Sequence, residues 1–128
     1  MFKQKNYFLL VILLCFGLTA CATQEQKLIE AGAKRLDRNQ VLAYIVGNTE
    51  VWSKGGGHYM ADGKMEAIWA GKTSSRTYSV SDDGEVCSKF ERLFCHFYMD
   101  NHGPIIMITE GKNVGVRKML PGNQLSNL

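Results

Sequence analysis

The spacing of apolar positions changes character three times along the chain. Residues 7–16 form an almost unbroken apolar run, preceded by Lys3 and Lys5. Residues 22–35 then mix Gln, Glu and Lys with isolated Leu28 and Ile29, which predicts a tether with some helical character. Asp37-Arg38-Asn39-Gln40 has the form of a capping box, in which the Asp37 carboxylate accepts from the Gln40 amide and the Gln40 side chain reaches back. Val41, Leu42, Tyr44 and Ile45 give the following turns one apolar face, and Gly47 supplies a left-handed stop, so a short helix is expected over 38–46. From Thr49 onward the period becomes two, with strands expected at 50–53, 58–61, 64–69, 76–80, 85–90, 94–99, 105–110 and 114–120. Asp62-Gly63, Asp82-Asp83-Gly84, Asn101-His102-Gly103 and Gly111-Lys112-Asn113 punctuate them as turns. Connections this short leave no room for crossover helices. The pattern predicts a mainly β domain with a short N-terminal helix, its strands in an antiparallel up-and-down meander that curls or closes into a small barrel.

The opening apolar run is too short to cross a bilayer as a helix, which takes ~20 residues. With its basic start it has the layout of a signal peptide. Leu18-Thr19-Ala20-Cys21 resembles the lipobox of bacterial lipoproteins, in which the cysteine sulfur is acylated and the chain is cut before it. The resemblance implies a signal peptide at 1–20 and a lipidated Cys21; with the pattern downstream, the expected organisation is a lipidated N-terminus and tether over 21–36, a helix-plus-meander domain at 37–121, and a tail at 122–128. Several acyl chains, at ~0.8 kcal/mol per buried CH2, make release from the membrane negligible. Ala22 follows the cysteine, which in the enterobacterial sorting pattern implies the outer membrane, facing the periplasm.

Cleavage changes the charge. The chain carries 15 basic and 12 acidic residues, and removing Lys3 and Lys5 leaves 13 against 12, a net of +1. The remaining cations are scattered, without the stripe that nucleic acid requires. Cys15 leaves with the signal and Cys21 is the acyl acceptor, so Cys87 and Cys95 remain and are expected to pair in an oxidising compartment. They flank Glu91 symmetrically, as cross-strand partners in one hairpin would.

Gly47-Asn48-Thr49 after a short helix, Ala61-Asp62-Gly63-Lys64, Tyr78-Ser79-Val80 followed by Asp83-Gly84, and Val86-Cys87 with Cys95 downstream resemble small secreted proteins of alphaproteobacteria in the family called domain of unknown function 995. The resemblance spans residues 47–110 and brings no catalytic residue with it. The chain departs from it at Thr77, where such proteins often have glycine before the aromatic.

Several chemistries fail on spacing. Gly71-Lys72-Thr73 mimics the end of a phosphate-binding loop, but Glu66 stands where its first glycine belongs. Cys95-His96 lacks the partner cysteine of a haem-attachment motif, because Arg92 occupies that place. His58, His96 and His102 show no chelating spacing, and Cys95 and His96 point to opposite faces of a strand, so no metal and no cofactor is expected. Asp82, Asp83 and Glu85 surround Gly84 as turn formers. No catalytic constellation emerges, and an enzyme is not expected.

The reading that remains is a non-enzymatic binding module at the membrane, contacting an envelope protein, a glycan or a hydrophobic small molecule. Its expected interaction surface is a mobile Gly55-Gly56-Gly57 loop with His58, Tyr59, Tyr78 and Tyr98, some of these aromatics facing outward. A small-molecule cavity is not expected, since short strands enclose little and small barrels are filled by their own side chains. The alternative is a periplasmic inhibitor, for which Ser75-Arg76-Thr77-Tyr78 resembles the Ser-Gly-x-x-Tyr loop of lysozyme-inhibitor lipoproteins, with Arg76 in place of the glycine.

Overall fold

The computed structural model describes residues 22–89 and 91–128. The expected signal peptide and the expected lipidation site Cys21 lie outside them. Helix α1, Gln24–Glu30, opens on a capping box between Thr23 and Gln26, and α2, Arg38–Ile45, on the expected box between Asp37 and Gln40. In the second box the Asp37 side chain accepts from the Gln40 amide at 2.8 Å, and the Asp37 amide donates to the Gln40 side chain at 2.9 Å. Helix α2 ends where Val46 turns extended and Gly47 takes a φ of 79°.

Among the described residues there are ten strands: β1 Lys34–Arg35, β2 Asn48–Trp52, β3 Gly55–Tyr59, β4 Lys64–Trp69, β5 Lys72–Val80, β6 Val86–Lys89, β7 Leu93–Asp100, β8 Ile105–Thr109, β9 Lys112–Val116 and β10 Lys118–Pro121. All their pairings are antiparallel, in the order β10-β2-β3-β4-β5-β6-β7-β8-β9, with β1 added beside β7. The segment expected as one strand over 114–120 is two. Its first half pairs with β8, Arg117 donates its amide to the Ile105 carbonyl at 2.8 Å, and its second half pairs with β2. One stretch of chain thus serves both edges of the meander and makes the sheet a nearly closed barrel.

Parity along the strands sorts the side chains. Tyr59, Met65, Val80, Val86, Tyr98 and Met107 form the inner core, which the buried Val41 and Ile45 of α2 complete at one end. Met99, Ile106 and Ile108 face the other way on β7 and β8, and are covered by Ala33 and Leu28. Residues 22–36, expected as a tether, therefore pack on the barrel: β1 pairs Lys34 with Asp100 and Arg35 with Met99. The Arg35 guanidinium lies 3.7 Å over the Phe97 ring and pairs with Glu25. The C-terminal segment is also docked. The Thr49 hydroxyl donates to the Gly122 carbonyl at 2.7 Å and accepts from the Gln124 amide at 3.0 Å, and Leu125 is buried. Cys87 and Cys95 are register partners in the β6–β7 hairpin and form a disulfide.

Candidate functional site

In an up-and-down barrel the even connections gather at one end and the odd ones at the other. The β3–β4, β5–β6 and β7–β8 connections share an end with the start of α2, where Gly84 packs against the Leu36 carbonyl. That end is plugged by Val41, Ile45 and Tyr44, whose ring meets Tyr98 edge-on at 5.2 Å. The opposite end is open, and a cavity of about 590 Å³ enters the barrel there. Trp52, Trp69, Phe94, Met65 and Met107 supply its apolar wall; Glu50, Ser88, His96, Arg92 and Arg117 supply its polar groups. A second hollow, of about 710 Å³, is a groove on the outside of β4 and β5 beside the C-terminal segment, lined mostly by short polar side chains.

Glu50 sits at the base of the polar set, 1 % exposed on β2. Trp52 donates its indole N–H to Glu50 Oε1 at 2.8 Å, and the Tyr98 hydroxyl donates to Oε2. Burial raises the Glu50 pKa, while these two donors and the Arg117 charge pull it back down. Two of the tyrosines around it respond in kind. Burial first, then the charge of Glu50, pushes Tyr44 up to about 12 against an opposing effect of Arg117, and the same two leading causes drive Tyr59 higher still. They stay protonated donors across any physiological pH.

His96 stands two residues before Tyr98, so β7 points both inward, their rings edge-to-face at 4.9 Å. It is 4 % exposed, and neither ring nitrogen meets a hydrogen-bond partner among the described residues. Burial, reinforced by Arg117, lowers its pKa to about 4, which leaves a neutral ring with one N–H and one lone pair. Arg117 Nε is likewise buried without a partner among the described residues. Buried polar atoms left in this condition cost stability unless something else satisfies them.

Comparison with family models, with curated proteins and with solved structures finds no match for this chain. The site is therefore read from its own geometry. Ser88, His96 and Glu50 line one cavity, but no hydrogen bond joins the histidine to either neighbour, and acyl-transfer chemistry needs that relay. Among the described residues one grouping has three metal-type ligands, Glu85, Cys87 and Cys95, and both its sulfurs are consumed by the disulfide.

The expected interaction surface is corrected in most of its members. Gly55, Gly56 and Gly57 are not a mobile loop: they are the first half of β3, paired on both sides. Their role is to make room. A Cβ on Gly57 would lie 2.8 Å from the Trp52 ring and 3.0 Å from Met65 Sδ, and one on Gly55 would strike the Ile68 carbonyl at 1.9 Å. Tyr59 and Tyr98 do not form an outward patch, since both lie in the core at 2 % and 0 % exposure. Tyr78 is half-buried and donates its hydroxyl to the Met60 carbonyl at 2.5 Å. His58 faces outward between Asn48 and Thr49, its Nδ1 within 3.1 Å of the Asn48 carbonyl. Ser75-Arg76-Thr77-Tyr78 is not a loop either, lying inside β5. The cavity itself was not expected, nor were Glu50, Trp52, His96 and Arg117. Some signal existed: Phe94, His96 and Tyr98 alternate onto one face of β7, as do Glu50 and Trp52 on β2.

Proposed function

We propose that the chain is a non-enzymatic binding module of the bacterial cell envelope, held by acylated Cys21 at the outer membrane, whose barrel takes up one small, largely apolar molecule. The observation that carries this reading is the open cavity of about 590 Å³, a volume within the usual ~300–1,000 Å³ of ligand sites and walled by aromatic and thioether side chains around a few convergent polar groups. The unpartnered nitrogens of His96 favour a ligand with a hydrogen-bonding group that reaches past the apolar wall. Support for binding over catalysis comes from the same atoms, because among the described residues no hydroxyl or thiol is hydrogen-bonded to His96.

Titration with N-phenyl-1-naphthylamine, a neutral apolar fluorophore, tests the reading. Saturable one-to-one binding is expected, with quenching of Trp52 and Trp69, the two tryptophans of the chain. Replacing the buried Ser88 by Phe fills the cavity and should abolish it. Unsaturable uptake, or uptake that the folded Ser88→Phe protein retains, would remove the cavity as the site.

A further inference from the structure

The open end of the barrel has a surface of its own. The β2–β3, β4–β5, β6–β7 and β8–β9 connections all lie there, staggered around the mouth. Trp69 is 45 % exposed, Phe94 41 % and Leu93 65 %, and the Trp52 and Trp69 rings stand 6.4 Å apart at the rim. Soluble surfaces rarely gather such groups without a use for them.

Charge is sorted between the two ends. Lys54, Lys72, Lys89, Arg92 and Lys112 lie on or beside the connections at the mouth, with Glu91 and Glu110 as the only acids in those connections. The plugged end carries Asp62, Asp82, Asp83 and Glu85 in its connections, with Lys64 beside them and Arg38 at the start of α2. The molecule thus presents a basic aromatic end and a more acidic end.

The chain also enters at the mouth. Glu25 donates its amide to the Gly111 carbonyl at 3.1 Å, and the Asn113 amide donates to the Gln24 side chain at 2.8 Å, which ties the start of α1 to the β8–β9 connection. From there α1 runs toward the plugged end, where the His102 ring lies beside Gly32. Ala22, the first described residue, is therefore on the same end as the cavity opening.

We propose that the mouth of the barrel is a docking face for an anionic lipid surface, seated by Trp69, Phe94 and Leu93 with Lys54, Lys89 and Arg92 on the lipid headgroups. An indole such as Trp69, with an apolar body and an N–H edge, settles at such interfaces, Phe94 and Leu93 add apolar contact, and basic residues add attraction to the negative surface. An acyl chain on Cys21 would emerge on this side, so anchor and face act together. The inference rests on the cavity reading in one respect: the ligand then enters from the bilayer instead of from water.

The two tryptophans at the rim report on this directly. The full chain, extracted from membranes, is reconstituted into phosphatidylcholine vesicles with or without phosphatidylglycerol, using lipids brominated just below the headgroup. Tryptophan emission should be quenched by the bromolipid and shielded from aqueous iodide in the anionic vesicles. Reversing the exposed Lys54 and Arg92 to Glu should weaken this docking by on the order of tenfold. Emission untouched by bromolipid and open to iodide would overturn the proposal. So would shielding from iodide without bromolipid quenching, the sign of a protein cover. A brominated chain inside the cavity could also quench, so Ser88→Phe is the second arm. Docking predicts that it keeps the quenching, and loss of quenching in the folded variant overturns docking in favour of cavity entry alone. Fluorophore titration in vesicle-free solution reads the cavity separately, so either idea can fail while the other stands.

Discussion

At the scale of single residues, the interior sets two titrating groups against each other. Glu50 has its pKa raised by burial, which favours the folded state at low pH and is lost as pH rises. His96 works in the opposite sense. Its folded pKa of about 4 lies below the ordinary 6.5, so the unfolded chain binds the proton first, and stability present above ~6.5 is lost as pH falls toward 4. From about pH 7 to about pH 5 this amounts to about 2 kcal/mol. Replacing His96 by Phe, whose ring fits the same edge-to-face packing, should remove that part of the pH dependence. Denaturant unfolding of wild type and His96→Phe at both pH values checks it; equal acid losses in the two proteins would mean that His96 is not buried neutral. Little of this was readable from sequence, because whether a polar residue on an alternating strand faces water depends on what the opposite wall supplies. Glu50, His96 and Arg117 come from three separated segments, and only closure of the sheet makes them neighbours.

At the scale of elements, legibility followed local chemistry. The α2 capping box and β4, read as 64–69 and found at Lys64–Trp69, are written in adjacent residues. The first half of β5 was missed because Lys72 to Ser75 carry no apolar residue, being exposed on a long hairpin. The start of β3 was missed for a related reason, since glycine is a poor strand former by itself and appears here because Trp52 and the Ile68 carbonyl need its space. The β6–β7 hairpin was legible through its cysteines. Closing that short loop contributes about 2.5 kcal/mol in the chain-entropy model. Replacing Cys87 and Cys95 together by Ala should therefore lower stability by about 2–3 kcal/mol while leaving the fold and fluorophore binding in place. Chemical denaturation with thiol counting decides the matter, and free thiols in envelope-derived protein would refute a structural role.

For the whole molecule, the proposed anchor gives the barrel an orientation as well as an address. Cys21→Ala should abolish incorporation of labelled palmitate, and label persisting on that variant, or absent from the wild type, would remove the anchor from the account. The closing seam has a further consequence, one for the order of assembly. Apart from the short β1 laid beside β7, every pairing but one joins strands adjacent in sequence, so hairpins can zip one after another at small entropic cost. The exception is β10 on β2, which joins Lys118 to Val51 and must wait until the meander has curled. Glu50 lies on one side of that seam and Arg117 on the other. Closure of that seam is then what brings the buried acid and the half-buried cation to the same cavity, and a chain whose hairpins have zipped without it has strands but no cavity.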